Sequence, residues 1–150
     1  KKKTSFFFTF PYRPATKEKI KPVKSSNIYL KDKNILVVED DQNSYELLKA
    51  ILKKHKVNLL FAEDGENAIE QCKNNKDIDL VLMDLKLPKK DGYEATKEIK
   101  SIREELPVIA QTAYAMPEEK EKSKKYSFNG YLTKPIDEKK LMELLDKTLI

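Results

Sequence analysis

The sequence predicts an α/β protein, an open parallel sheet covered on both sides by helices. Five short apolar runs carry that reading: "ILVV" (35–38), "LLFA" (59–62), "LVLM" (80–83), "VIAQ" (108–111) and "GYL" (130–132). They are continuous rather than alternating, as strands buried on both faces are. Polar–apolar segments of helical length separate them, and strand–helix alternation of this kind favours parallel pairing through crossover helices. All of it lies within residues 34–150, and the short connections leave no room there for another domain.

The helical segments follow in order. Leu48, Ile51 and Leu52 share one face of the first, and Ala68, Ile69 and Cys72 one face of the second. Thr96, Ile99 and Ile102 line the third; Leu141, Leu144, Leu145 and Thr148 line the last. The segment "MPEEKEKSKKYS" (116–127) differs, because only Met116 and Tyr126 are clearly apolar. A helix with so little to bury depends on its neighbours. Weak ordering is expected around Glu118–Ser127, seen as faster amide exchange there than in the last helix.

Residues 1–33 are set apart by charge. They carry ten Lys/Arg and two Asp/Glu, a net of +8, whereas residues 34–150 carry a net of −3. The overall +5 therefore belongs to the leading segment, and the main domain lacks the basic face of a nucleic-acid binder. No apolar run approaches membrane-spanning length, which predicts a soluble protein without membrane contact. The lone cysteine, Cys72, excludes an intramolecular disulfide and suits a reducing, cytoplasmic setting. The first residue is Lys and no signal-peptide pattern follows, so the chain reads as a piece of something longer.

Within the leading segment, "TSFFFTFPY" (4–12) is strand-like, and "RPATKEKIKPVKSSN" (13–27) has the composition of a linker. Phe6, Phe7 and Phe8 have no partner strand in this segment. They are expected to pair with a sheet outside it or with another copy of the chain.

The chemistry is read from the residues that end the strands. Glu39 and Asp40 follow the first run, Asp84 the third, Thr112 the fourth and Lys134 the fifth. In an open parallel sheet the carboxyl ends of the strands form one edge, where ligands bind. With the first and third strands adjacent, about 4.8 Å apart, Glu39, Asp40 and Asp84 become a carboxylate cluster that calls for a cation. Oxygen ligands without His or Cys suit a hard ion such as Mg²⁺. A carboxylate flanked by Mg²⁺, an ammonium and a hydroxyl is equipped to attack phosphorus and hold an acyl phosphate. Taken singly, Asp40, Asp41 or Asp84 reads as a helix cap, Lys134 as a solvated loop residue and Thr112 as strand filler. The convergence of all of them on one edge favours the functional reading.

Other residues are set aside. His55, in the Lys-rich tail of the first helix, reads as solvated, and Cys72 as packing. Gly65, Gly92 and Gly130 are too scattered for a phosphate-cradling loop. Asp91–Gly92 reads as a turn into a helix, and the Tyr131 ring as either packing or a mobile reporter.

Taken in order, "NILVVEDD", "VLMDLKLPKKDGYEATKEI", "QTAYAM" and "GYLTKP" resemble the receiver domain of two-component response regulators across residues 34–150. The resemblance implies a flavodoxin-like, doubly wound five-stranded sheet of order 2-1-3-4-5. It implies that Asp84 is the phosphoacceptor, that Asp40, Asp84 and the backbone carbonyl of Lys86 bind Mg²⁺ directly, and that Glu39 acts through water. Thr112 is then the switch hydroxyl, Lys134 the ion-pair partner of the phosphoryl group, and Tyr131 the ring that moves inward. The Lys134–Pro135 bond is expected to be cis. Lys124 and Ser127 depart from the Leu and Gly common in the family. Lys86, two residues after Asp84, is expected to hinder the hydrolytic water and lengthen the life of the acyl phosphate.

"KKKTSFFFTFPY" in turn resembles the closing strand of a histidine kinase ATP-binding domain, without that strand's usual glycines. The implied parent is a hybrid sensor histidine kinase, and a membrane anchor in that parent is compatible with this reading. Residues 1–12 are then the kinase remnant, 13–33 a linker and 34–150 the receiver. The piece itself lacks a nucleotide site and is no enzyme. Its partner is a phosphohistidine-bearing kinase or phosphotransfer domain, and self-association through Phe6, Phe7 and Phe8 is a second expectation. The rival readings are an aspartyl-nucleophile phosphatase, for which Lys86 stands where a second carboxylate is needed, and a degenerate receiver used only for protein contacts. Flavin binding lacks its phosphate loop.

Overall fold

A computed structural model describes residues 30–113 and 125–150. Along the chain lie β1 (Asn34–Val38), α1 (Gln42–Lys53), β2 (Asn58–Ala62), α2 (Gly65–Asn74) and β3 (Leu80–Asp84). They are followed by α3 (Gly92–Ile102), β4 (Val108–Thr112), β5 (Gly130–Thr133) and α4 (Glu138–Leu149). The five strands form one parallel sheet of order β2-β1-β3-β4-β5. The expectations for Met116, for Glu118–Lys124 and for Phe6, Phe7 and Phe8 lie outside the described residues.

Side-chain alternation divides the central strands between two cores. Ile35 and Val37 of β1, Leu80 and Leu82 of β3, Ile109 and Leu132 meet Leu48 and Leu52 of α1 and Leu141 and Leu145 of α4. Leu36, Val38, Val81, Met83 and Val108 meet Ala68 and Cys72 of α2 and Ala95 and Ile99 of α3. A strand with helices on both sides needs apolar residues at every position, hence the unbroken runs. Burial of Cys72 pushes its thiol up to about 11, in keeping with packing.

Three expectations of burial need correction. β2 is an edge strand, so Phe61 is exposed and Leu59 and Leu60 are only half-buried. Ile102, in the last turn of α3, overhangs the core and is exposed, while Ile69 is half-buried. His55 is not solvated: its side chain is only 12% exposed, with Nε2 3.8 Å from Glu138 Oε1 at the start of α4. Neither ring nitrogen has a hydrogen-bond partner among the described residues. At the other end, Leu30 is fully buried in the α1–α4 core, Asp32 N–H donates to the Lys56 carbonyl, and Asn58 N–H donates to that of Lys33. Folded contacts therefore begin ahead of β1.

Each of α1 to α4 starts on an aspartate. Asp41, Asp64, Asp91 and Asp137 accept the N–H of Ser44, Asn67, Glu94 and Lys140 at 2.8–2.9 Å. Each such cap is worth about 1 kcal/mol and marks where a helix begins. Among the described residues no helix is long and apolar enough to cross a membrane.

Candidate metal and phosphoryl site

The rim at the carboxyl ends of β1, β3, β4 and β5 gathers the residues singled out by sequence. Strand parity does the gathering. Glu39 stands one residue beyond Val38, and Asp84 and Gln111 each stand two beyond a residue of the α1–α4 core, as does Lys134. All four thus belong to the α1–α4 face of the sheet. Register places Asp84 opposite Gln111, with Thr112 the next residue of β4 and opposite Thr133.

Lys134 joins the two buried acids. Its Nζ lies 2.6 Å from Asp84 Oδ2 and 2.7 Å from Glu39 Oε2. The remaining oxygens are also held: Lys86 N–H donates to Asp84 Oδ1 at 2.8 Å, and Asp41 N–H donates to Glu39 Oε1 at 3.3 Å. Glu39 is 1% exposed and Asp84 6%, whereas Asp40 is exposed to solvent. Capping therefore falls to Asp41, whose carboxyl is held below its usual range by the Ser44 N–H, and leaves Asp40 free to face the cluster.

The electrostatics favour a cation. Burial pushes the Glu39 carboxyl up to about 7, with the Asp84 charge adding to the rise and Lys134 opposing it. Burial works against the charge of Lys134, but its hydrogen bonds to Asp84 and Glu39 outweigh that and raise its pKa. Oxygens of Glu39, Asp40 and Asp84 lie within 4.8 Å of one another. Three carboxylates against one ammonium leave excess negative charge, and an all-oxygen donor set with one solvent-facing member fits a hard, partly hydrated divalent ion.

The β3–α3 loop is built to present its backbone to this cluster. Gly92 opens α3 so close to β3 that a Cβ there would lie 2.1 Å from the Asp84 carbonyl oxygen. Gly92 N–H donates to the Leu85 carbonyl, Lys89 pairs with Asp64 at 2.9 Å, and Lys90 pairs with Glu98. Lys86 stands two residues after Asp84 along this loop and is exposed. The Lys134–Pro135 peptide bond is cis. Tyr131 sits half-buried on β5, its ring 5.8 Å from Phe128, which lies 5.9 Å from Tyr93.

Two features escaped sequence reasoning. The Asp64–Lys89 pair joins α2 to the loop across 25 residues, and only a chemistry-blind Asp-Gly marked it. Gln111 is fully buried, yet neither its Oε1 nor its Nε2 has a partner among the described residues. Its one sequence signal is a carboxamide interrupting an otherwise apolar strand.

Comparison with known proteins agrees with this geometry. Residues 35–146 match the family described as response regulator receiver domain. The transcriptional regulatory protein ZraR of Escherichia coli K12 is 36% identical over 116 residues, covering 77% of this chain and 26% of its own length. The autoinducer 2 sensor kinase/phosphatase LuxQ of Vibrio vulnificus is 31% identical over 148 residues, covering 96% of this chain and 17% of its own. The chain thus spans about a quarter or less of these relatives. Among solved structures, the receiver domain of sensor histidine kinase PA1611 from Pseudomonas aeruginosa superposes with a TM-score of 0.73. It is 31% identical, with 79% of this chain and 98% of that one covered, and carries a magnesium ion in its active site cleft.

Proposed function

We propose, because this chain belongs to the response regulator receiver domain family, that Asp84 accepts a phosphoryl group from a phosphohistidine and that the domain changes conformation in response. The observation that carries this reading is the position of Asp84, its Oδ2 2.6 Å from the Lys134 ammonium within a cluster of carboxylates.

Asp40, Asp84 and the backbone carbonyl of Lys86 are the groups that would hold Mg²⁺ directly, with Glu39 acting through water. When bound, the ion supplies positive charge against the carboxylates and the phosphoryl oxygens. A carboxylate oxygen of Asp84 attacks phosphorus. The N–P bond of the phosphohistidine breaks, its electron pair stays on the imidazole, and the ring takes up a proton as it leaves. Lys134 pairs with the new acyl phosphate, which adds about −1.5 to −2 charges. The Thr112 hydroxyl donates to a phosphoryl oxygen, and Tyr131 follows inward, biasing a two-state rearrangement of the β4–β5 region. Lys86 stands where an aspartyl phosphatase needs a second carboxylate, which supports an acceptor rather than a turnover enzyme.

The donor is a phosphohistidine-bearing kinase or phosphotransfer domain, which implies a cytoplasmic setting. The extent of the LuxQ match, 96% of this chain, reaches into the leading segment and supports a hybrid histidine kinase parent. Residues 1–12 are then the end of its ATP-binding domain and 13–29 a linker, and the packing of Leu30 moves the start of the receiver ahead of residue 34.

Intact-mass measurement after incubation with acetyl phosphate and Mg²⁺ tests the reading. One phosphoryl group is expected on the wild type and none on Asp84→Asn. An unmodified wild type rejects it.

A further inference from the structure

Gln111 is the polar residue of this rim that the foregoing mechanism does not use. It is fully buried, it stands opposite Asp84 on the neighbouring strand, and it shares the α1–α4 face with Glu39, Asp84 and Lys134. Both ends of its carboxamide lack a hydrogen-bond partner among the described residues. An apolar side chain of the same length would avoid the penalty of an unpaired buried amide.

The path of Lys134 gives that amide a use. Lys134 follows β5 and its ammonium reaches Asp84 on β3, two strand spacings or about 10 Å away, with Gln111 on the intervening β4 and on the same face of the sheet. An ammonium has three donors. Asp84 and Glu39 take two of them in the structure described. A divalent ion among Glu39, Asp40 and Asp84 sets a second cation against that ammonium, and like charges at such range repel. The ammonium needs another acceptor, and the Oε1 of Gln111, unpartnered on the intervening strand, is one on the same face.

We propose that Gln111 is a positioning residue for Lys134: when a divalent ion occupies the carboxylate cluster, the ammonium leaves Glu39 for the carboxamide oxygen of Gln111 while keeping Asp84. The hand-off lets metal and ammonium flank Asp84 together, as phosphoryl transfer requires. It rests on the metal site proposed above and assigns Gln111 a part in loading it.

The test compares wild type, Gln111→Leu, Lys134→Met and the double variant by calorimetric Mg²⁺ titration, by urea unfolding without metal, and by the rate of labelling with acetyl phosphate. Gln111→Leu is expected to bind Mg²⁺ roughly three- to tenfold more weakly, the scale of one typical intramolecular hydrogen bond, and to label correspondingly slowly. Its metal-free urea midpoint is expected to be unchanged or higher, since an unpaired amide has been removed. In the Lys134→Met background the same substitution is expected to change Mg²⁺ affinity by less than about twofold, because the residue acts through Lys134.

Equal Mg²⁺ affinity in wild type and Gln111→Leu overturns the proposal, as does an equal loss in both backgrounds. A lowered metal-free midpoint overturns it too, by showing that the amide already has a resting partner. A wild type that binds Mg²⁺ without gaining a phosphoryl group rejects the phosphoacceptor reading and leaves the affinity comparison decisive for Gln111. A wild type that binds no Mg²⁺ ends both.

Discussion

The Lys134 ammonium lies 2.7 Å from Glu39 Oε2, and yet burial holds the Glu39 carboxyl up at about 7, against an ordinary value of 4.5. The sign of the consequence is fixed. A carboxyl whose folded pKa exceeds its unfolded one favours folding fully below the unfolded value, and that contribution is lost as pH rises through the folded value. Metal-free protein is expected to lose stability between pH 4.5 and about 7, on the order of 3 kcal/mol. Mg²⁺ reverses the trend, because it binds the ionised form and restores more stability at high pH than at low. Urea midpoints at about pH 5 and about pH 8, with and without Mg²⁺, measure both effects. Glu39→Gln should flatten the metal-free profile; a wild type already flat contradicts the prediction.

Ser127 adopts φ 57°, the left-handed region that favours glycine, directly ahead of Phe128 and β5. A side chain there costs roughly 1–2 kcal/mol. Ser127→Gly is expected to stabilise the domain by about 1 kcal/mol and raise Tm by a few degrees. Ser127→Ala keeps the strained backbone and should give no gain. Thermal unfolding of the three proteins decides the matter, and equal midpoints for Gly and Ser would remove the idea that this backbone is strained.

How much of this was legible in the sequence depends on the range of the contact involved. The apolar runs "ILVV", "LVLM" and "VIAQ" disclosed central strands because burial on both faces leaves a local signature. The same rule failed for Phe61, since position at the edge of a sheet is a property of the whole topology. The strand order itself came from family resemblance and not from periodicity. His55 was misjudged because its neighbours are lysines, while the group that covers it, Glu138, comes from the far end of the chain. At the rim, Asp40 and Asp41 each read singly as a helix cap; the hydrogen bond from Ser44 N–H separates the cap from the site residue. Gln111 stayed hidden because an unpaired amide is visible only once its surroundings are built.

Lys86 is exposed and follows Asp84 by two residues, with its own N–H held on Asp84 Oδ1. That hydrogen bond fixes the start of its side chain beside the Asp84 carboxylate, where, on the reading proposed above, a long cation would obstruct incoming water. Lys86→Ala keeps the backbone N–H and removes the obstruction, so the acyl phosphate should decay severalfold faster. The decay of the phosphorylated mass after removal of acetyl phosphate measures this, and identical half-lives would discard the role.

Gly92 and Gly130 offer a comparison between rigid and yielding neighbours. A Cβ on Gly92 would lie 2.1 Å from the Asp84 carbonyl oxygen and 2.9 Å from Leu85 Cα, both backbone atoms. Relief requires α3 and the β3–α3 loop to move away from β3, carrying the Lys86 carbonyl with them. A Cβ on Gly130 would lie 2.7 Å from Leu144 Cδ1, the far end of a side chain that can rotate. Gly92→Ala is therefore expected to cost about 3 kcal/mol or more, beyond ordinary overpacking, and Gly130→Ala about 1 kcal/mol. The two should also part in function. Gly92→Ala weakens Mg²⁺ binding through the displaced carbonyl, whereas Gly130→Ala, remote from the loop, leaves it unchanged. Urea midpoints together with Mg²⁺ titrations separate the cases. If Gly92→Ala lowered stability while binding Mg²⁺ as wild type does, the loop carbonyl would have to be dropped from the metal site and Asp40 and Asp84 left to carry it.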